Sequence, residues 1–200
     1  MALRRLTGKT LSTALLVLGL LLLAYVGIEY GSMFLAQNRL AHEWQLQQKN
    51  PPAPGVPTVT LTRLTIPKIN LDSVIVEGTD NKSLLLGPGH MEDTAIPGKL
   101  GNSVISGHRD TFFRHIYELK KGDPILVERA GKTFEYHVTG KKVVEPDDLS
   151  VVRPSSDAQL TLITCYPIYY IGPAPKRLVV FSKLADEPAP EQAKQAGAER

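Results

Sequence analysis

The sequence lacks several features that would point to a function directly. It contains one cysteine among 200 residues, so no intramolecular disulfide can form. Its net charge is only +3, and it has no basic run and no alternation of basic and aromatic residues, which argues against nucleic acid as a partner. No internal repeat is present.

Charge is absent from one long stretch near the N-terminus. No charged residue occurs from Leu11 to Ile28, a run suited to crossing a hydrocarbon core, which takes about 20 apolar residues. No Ala-x-Ala site follows Ile28, which favours an uncleaved membrane anchor over a cleaved signal peptide. Because Arg4, Arg5 and Lys9 precede the run, the N-terminus is expected in the cytoplasm and the bulk of the chain outside.

The composition changes along the chain and predicts five segments. They are a cytoplasmic N-terminus at 1–10, a transmembrane anchor at 11–36, a juxtamembrane helix with a Pro-rich spacer at 37–57, a globular domain at 58–184 and a disordered tail at 185–200. Four prolines stiffen the spacer, which we expect to lift the globular domain off the membrane. The tail has too few apolar residues to bury a core.

Alternating apolar runs and turn residues predict many short strands in the globular domain. We expect strands at 60–66, 73–76, 103–106, 125–129, 132–138, 141–144, 160–164 and 177–184. Short helices are expected at 81–86 and 111–119, the second with Asp110 as its N-cap. Many short strands without a regular alternation of helices favour a closed antiparallel or mixed barrel over a parallel sheet.

Cys165 follows the predicted strand 160–164 and continues its alternating pattern. A strand fixes the direction of each side chain, so a thiol at the end of a strand has a defined orientation and can still be reached by solvent. The alternative is a structural role, because free cysteines are commonly buried as small apolar residues. A reactive thiol needs a base and an electropositive neighbour.

His108 is the candidate base. It follows the predicted strand 103–106 and a glycine, so it also lies at a strand end, where functional residues are common. A histidine in reach of a thiol can accept its proton and later deliver the proton to a leaving amine.

Arg177 is the candidate electropositive group. It begins the last predicted strand and shares a strand face with Val179 and Phe181. Its planar set of donors could hold a substrate carbonyl or stabilise an oxyanion. The alternative is a surface charge beside Lys176, which would contribute little.

Four motifs together resemble the sortase family. They are Gly87-Pro88-Gly89-His90, the segment Asn-Ser-Val-Ile-Ser-Gly-His-Arg-Asp-Thr-Phe-Phe at 102–113, Thr161-Leu162-Ile163-Thr164-Cys165-Tyr166-Pro167 and Ala174-Pro175-Lys176-Arg177. They occur in the family's order, and the resemblance extends over nearly all of residues 60–184. The third motif with an arginine 12 positions after its cysteine is specific, whereas Gly-His alone is weak. The resemblance is closest to class D-like or proteobacterial sortases.

This resemblance implies an all-β protein, a closed eight-stranded sortase-type β-barrel with short helices and one N-terminal transmembrane helix. It implies a membrane-anchored cysteine transpeptidase that cleaves a sorting signal of the Leu-Pro-x-Thr-Gly type through a thioester acyl-enzyme. The implied partners are a surface protein bearing a C-terminal sorting motif, an amine acceptor of the cell envelope or on a second protein, and membrane lipid. We expect no cofactor and no metal, since the calcium site of some sortases has no matching carboxylate cluster here.

The resemblance also assigns roles to particular residues. The family's nucleophile corresponds to Cys165, its histidine to His108 and its arginine to Arg177. Supporting or substrate-contact roles are expected for three further residues, His90, Thr164 and Tyr166. The loop 166–175 has three tyrosines and three prolines, a composition suited to an extended peptide but equally common in a core.

Three alternatives to this interpretation are open. A hydrolase or protease of the same fold would result if water resolved the thioester. A non-catalytic, membrane-tethered binding barrel would bury Cys165. An L,D-transpeptidase also uses Cys, His and Arg, but its arginine comes two positions after the cysteine, and the Ile-Tyr-Tyr-Ile-Gly segment here does not match that pattern.

Overall fold

The structure is a computed structural model that describes residues 2–50 and 60–185. The prolines of the predicted spacer and nearly all of the predicted tail lie outside the described residues, so those two expectations stay predictions.

Helix α1 runs without interruption over Ala2–Lys49. Its apolar part is not covered by the rest of the protein, and the helix is long and apolar enough to cross a membrane. The polar helix expected from residue 37 onward is the continuation of this same helix.

Eight strands close into a barrel, which confirms the predicted fold class. The strands are β1 Thr62–Ile66, β2 Leu71–Glu77, β3 Gly89–His90, β4 Gly101–Ser106, β5 Pro124–Arg129, β6 Lys132–Val144, β7 Ala158–Tyr166 and β8 Lys176–Leu184. Around the barrel their order is β1-β2-β3-β4-β7-β8-β6-β5. The β2–β3 and β4–β7 pairs are parallel, and the other pairs are antiparallel.

Two strand predictions differ from the structure in detail. The strands expected at 132–138 and 141–144 are one strand, β6, with an irregularity between Val138 and Gly140. A glycine in a strand interior often marks such a bulge, and here it does not end the strand. Strand β3 was not predicted, because two residues cannot display a period-two pattern.

The two predicted helices have different outcomes. Helix α2 spans Asn81–Leu86 as expected, and the Asp80 carboxylate caps it. The helix expected at 111–119 is wrong, because this segment consists of turns ending in a short 3₁₀ helix, Ile116–Glu118. Phe113, Ile116 and Leu119 are all fully buried, and this spacing of three matches the three residues per turn of a 3₁₀ helix. The carboxylate expected as its N-cap, that of Asp110, lies 3.6 Å from Arg109 Nε.

The C-terminal part of α1 packs directly on the barrel. The Gln37 amide group donates to Val74 O at 3.2 Å, and its Oε1 accepts from Val74 N at 3.0 Å and from Ser73 Oγ at 2.8 Å. Trp44 is almost fully buried, with the Arg63 guanidinium carbon 4.7 Å from its ring centroid. Residues 37–49, which the sequence predicts only as a polar helix, therefore contact the barrel.

Candidate active site

Cys165 is the penultimate residue of β7 and is partly exposed. Leu160 and Leu162 on the same strand belong to the barrel core. Ile163 packs instead on a second apolar cluster outside it, and Cys165, two positions on, shares the Ile163 face. The thiol is therefore on the outer face of the barrel wall and not sealed in the core.

Arg177 lies directly opposite Cys165 in the antiparallel β7–β8 register. Residues paired in this way share a face of the sheet, with Cβ atoms about 4.5–5.5 Å apart. The Arg177 Nη1 donates to Ala174 O at 3.2 Å and to Lys176 O at 3.0 Å. Among the described residues, its Nε and Nη2 have no hydrogen-bond partner, so donors remain for a substrate oxygen.

The neighbouring basic residue has a different environment. Lys176 is paired with Tyr166 in the register, and its Nζ lies 3.5 Å from Glu145 Oε1 on the surface. Period-two alternation placed Arg177, and not Lys176, on the strand face of Val179 and Phe181, and the register puts that face beside the thiol.

His108 reaches the same region from β4. This strand is parallel to β7, with Ser106 opposite Ile163, and the chain then passes through Gly107. The Gly107 N–H donates to Ile163 O at 3.1 Å, and its carbonyl accepts from Thr164 Oγ1 at 2.7 Å. These two bonds fasten the end of β4 to the end of β7, so His108 and Cys165 lie at the same end of adjacent strands.

The residue before His108 must be small. A Cβ atom on Gly107 would lie 2.7 Å from Phe113 Cδ2, far inside van der Waals contact. Phe113 is fully buried, so it cannot move aside. The close approach of this turn to the core ring therefore fixes the path by which His108 leaves β4.

His108 has the freedom that a proton carrier needs. It is partly exposed, and no described residue is a hydrogen-bond partner of either ring nitrogen. Its carbonyl oxygen is engaged, accepting from Phe113 N at 3.0 Å. The backbone is thus held while the imidazole nitrogens stay available.

His90 differs from His108 both in exposure and in the hydrogen bonding of its ring. It is only 3% exposed, with Nδ1 2.8 Å from Glu77 Oε2 and Nε2 3.0 Å from Ala95 O. It is paired with Ile105 on β4, one strand away from β7. His90 thus ties β2 and β3 to the segment after β3, and its supporting role in the reaction stays a prediction.

Thr164 and Tyr166, the other two predicted supporting residues, flank Cys165. Thr164 is buried and its hydroxyl bond to Gly107 links β7 to β4. Tyr166 packs in part against the barrel core. Both therefore have structural contacts, and contact with a substrate stays a prediction for each.

Sequence analysis missed Arg109. It is 8% exposed, and its guanidinium donates to three carbonyls of the β7–β8 loop: Pro167 O at 3.1 Å, Tyr170 O at 2.8 Å and Gly172 O at 3.1 Å. Because Arg109 follows His108 directly, the same turn holds the candidate base and the loop after the thiol. Its partners are backbone atoms, which leave no signal in side-chain patterns.

A second apolar cluster supports the outer face behind the site. Val144, Val151 and Val179 are its buried members. Val151 belongs to the 3₁₀ helix Leu149–Val152, whose N-cap Asp148 accepts from Ser150 N at 3.0 Å. Hydrogen bonding from Ser150 lowers the pKa of the Asp148 carboxyl. This cluster fixes the faces of β7 and β8 on which Cys165 and Arg177 lie.

Comparison with known proteins identifies the family. A sequence model of the sortase domain matches residues 64–185, more than half of the chain. The chain belongs to the sortase family. It is 44% identical over 121 residues to sortase D of Bacillus subtilis and 34% identical over 110 residues to sortase A of Bacillus anthracis. These matches cover 60% and 53% of this chain and span 61% and 52% of the two relatives.

Solved sortase structures have the same fold. Sortase A from Corynebacterium diphtheriae matches with a TM-score of 0.61 and 33% identity, over 74% of this chain and 69% of that one. A sortase D5 transpeptidase from Clostridium perfringens matches with a TM-score of 0.61 and 26% identity, over 75% of this chain and 96% of that one. The predicted resemblance to sortases is confirmed.

Proposed function

We propose that this sortase is a membrane-anchored cysteine transpeptidase acting on a sorting signal of the Leu-Pro-x-Thr-Gly type. The observation that carries the proposal is the strand register. It pairs Cys165 with Arg177 across β7 and β8 and brings the His108 turn to the adjoining end of β4. A thiol, a base and a fork of N–H donors are together the parts that acyl transfer needs.

The first half-reaction would form a thioester. The Cys165 thiolate attacks the carbonyl carbon of the threonine in the Thr-Gly bond, and the carbonyl oxygen becomes an oxyanion. Arg177 donates to this oxyanion through the N–H groups not used by Ala174 and Lys176. Protonated His108 gives its proton to the glycine amine as the C–N bond breaks.

The second half-reaction would transfer the acyl group. An amine from the cell envelope or a second protein reaches the thioester, and His108 accepts its proton as the new amide forms. Cys165 then leaves as a thiolate. Both steps use only side chains of this chain, without a metal or an organic cofactor.

The anchored location is supported by α1. Its apolar part is long enough to span a bilayer and is uncovered by protein, while residues 37–49 pack on the barrel. With the N-terminal basic residues inside, the barrel lies on the extracytoplasmic side. There it would meet a surface protein and an amine acceptor.

Mass spectrometry of the full chain in detergent tests the activity. Incubation with a library of Leu-Pro-x-Thr-Gly-like peptides should add the N-terminal part of a peptide to Cys165, and hydroxylamine should release it. An added amine should then appear joined to the threonine. The Cys165→Ala variant is the control and should form no adduct.

Other outcomes have distinct meanings. Release of the free acid alone, even with excess amine, would make the protein a hydrolase. Absence of any adduct, together with resistance of Cys165 to alkylation in the native protein, would contradict enzymatic activity and favour a binding barrel.

A further inference from the structure

Helix α1 gives the barrel a defined orientation. Tyr30 and Met33 line a cavity together with Phe112, whereas Gln48 lies beside Gly131 in the β5–β6 hairpin. The first contact is the one nearer the apolar part of α1. We call the end of the barrel that makes this contact the anchor end.

The candidate active site is at the anchor end. Strand β1 ends there, because the turn after it contributes Ile69 to the same cavity. The pairings then make β2 and β3 run away from this end, β4 and β7 toward it, and β8 away from it. Cys165 near the end of β7 and Arg177 near the start of β8 are therefore at the anchor end, whereas Leu100, just before β4, is at the opposite end.

The β7–β8 loop begins and ends at the anchor end and exposes an apolar tip. Tyr169 is 78% exposed, Tyr170 is partly exposed and Ile171 is fully exposed. The tip is nevertheless held in place, since Arg109 binds the carbonyls on both sides of Ile171. The adjacent Tyr169 side chain raises the pKa of the Tyr117 hydroxyl above its ordinary value. Exposed apolar side chains on a fixed loop mark a contact surface.

We propose that the loop tip Tyr169–Ile171 lies in the lipid interface of the membrane that α1 spans, so that the Cys165 site opens at the membrane surface. The inference rests on the proposed anchoring by α1. Tyrosine is enriched where hydrocarbon meets headgroups, because its ring is apolar and its hydroxyl is polar. Ile171, between Tyr170 and the bend at Gly172, is the residue that enters the apolar layer.

The segment between β4 and β5 crosses the anchor end from His108 to the start of β5. It exposes three basic side chains, Arg114, Lys120 and Lys121, against two acidic ones, Asp110 and Glu118, a small excess of positive charge. Basic residues at a membrane surface are attracted to anionic headgroups. An exposed apolar tip flanked by tyrosines, on the side of the barrel from which α1 leaves, fits the lipid interface.

Site-directed spin labelling tests this placement without using activity. Because the chain has one cysteine, the Cys165→Ala variant is free of thiols and accepts a single new label. Ile171→Cys is compared with Leu100→Cys, at an apolar residue that is likewise strongly exposed, at 78%, but lies at the opposite end of the barrel. A third label, at Leu22→Cys within α1, reports whether the helix spans the bilayer.

In lipid vesicles, the label at position 171 should collide with oxygen at least twofold more, and with a water-soluble nickel complex at least twofold less, than the label at position 100. In detergent-free vesicles the label at position 22 should be the most protected from nickel. Equal nickel access at positions 171 and 100, with position 22 protected, would overturn the lipid contact of the loop tip. The membrane span of α1 and the acyl-transfer test would not be affected.

Nickel access at position 22 would overturn both the membrane span of α1 and the lipid contact of the loop tip. Protection of position 171 only after a sorting-signal peptide is added would assign the tip to peptide binding and overturn the lipid contact.

Discussion

Two histidines of this barrel lie in Gly-His sequences, yet their environments differ. His90 is buried, and both ring nitrogens are within hydrogen-bond distance of Glu77 and Ala95. His108 is partly exposed, and its ring has no hydrogen-bond partner among the described residues. A proton carrier must exchange its partner during the reaction, which a fully engaged ring resists. This difference supports the proposal that His108 carries the proton and predicts a structural role for His90.

The largest effect is expected when the imidazole of His108 is removed. His108→Ala should lower kcat by about 10² or more, the lower end of general acid–base contributions. Tm should be unchanged, because the ring is partly exposed and has no hydrogen-bond partner among the described residues. The rate is measured by peptide ligation and Tm by circular dichroism. A kcat within a few-fold of wild type would show that another group carries the proton.

His90→Ala should have the opposite profile. Removing the ring takes a hydrogen-bond partner from the partly buried Ala95 carbonyl, at a cost of about 1–3 kcal/mol. Thr94 keeps its bonds to Met91 O and Val104 N. Thermal denaturation should show a clearly lower Tm, while kcat at a temperature well below Tm changes little. A large loss of kcat in a folded His90→Ala protein would give this residue a direct part in the reaction.

The two adjacent basic residues at the start of β8, Lys176 and Arg177, should also differ in their effect on the rate. Arg177→Lys keeps the charge and loses the planar fork, so kcat should fall about tenfold or more, given that one oxyanion donor contributes about 10²–10³. Lys176→Ala is the matched control and should stay active, since its contact is the surface Glu145. Full activity of Arg177→Lys with an inactive Lys176→Ala would mean that the other basic residue is the functional one.

Arg109 should act on the loop and not on the chemistry. Arg109→Ala frees three loop carbonyls and should raise KM several-fold more than it lowers kcat. Limited proteolysis should then cut within 167–175, where the wild type is resistant. Arg114→Ala, at an exposed arginine in the same segment, should change neither. A pure loss of kcat without cleavage would contradict the positioning role.

The smallest effect concerns pH. The Asp148 carboxyl has a pKa below its ordinary value of 3.8 in the folded protein, so its capping contribution is present above that value and is lost as pH falls through the lower, folded pKa. Asp148→Asn keeps an acceptor without titrating. The Tm difference between wild type and Asp148→Asn should shrink between about pH 6 and pH 2. A difference independent of pH would show that the charge does not matter.

Much of the fold could be predicted from the sequence because period-two patterns report which face of a strand is buried. That pattern placed Arg177 with Val179 and Phe181, and the register agrees. The prediction of an α-helix at 111–119 was wrong because the buried residues of this segment recur every third position. Over so short a length, an α-helix and a 3₁₀ helix share that spacing.

Other parts of the site could not be predicted, because their partners are backbone atoms. Arg109 binds three carbonyls, and Gln37 binds the Val74 backbone. Every residue has a backbone carbonyl, so no residue type in the β7–β8 loop or in β2 indicates that Arg109 or Gln37 will bind there. Arg109 and the docking of α1 therefore emerged only from the folded chain.

The most direct measurement of the central claim is the rate at which native Cys165 is alkylated by a small thiol reagent. If His108 and Arg177 promote the thiolate, the wild type and the His90→Ala variant should react at the same rate, and His108→Ala and Arg177→Ala more slowly. Labelling of Cys165 only after unfolding, or equal rates in all four proteins, would contradict the assignment of these three residues to one reactive site.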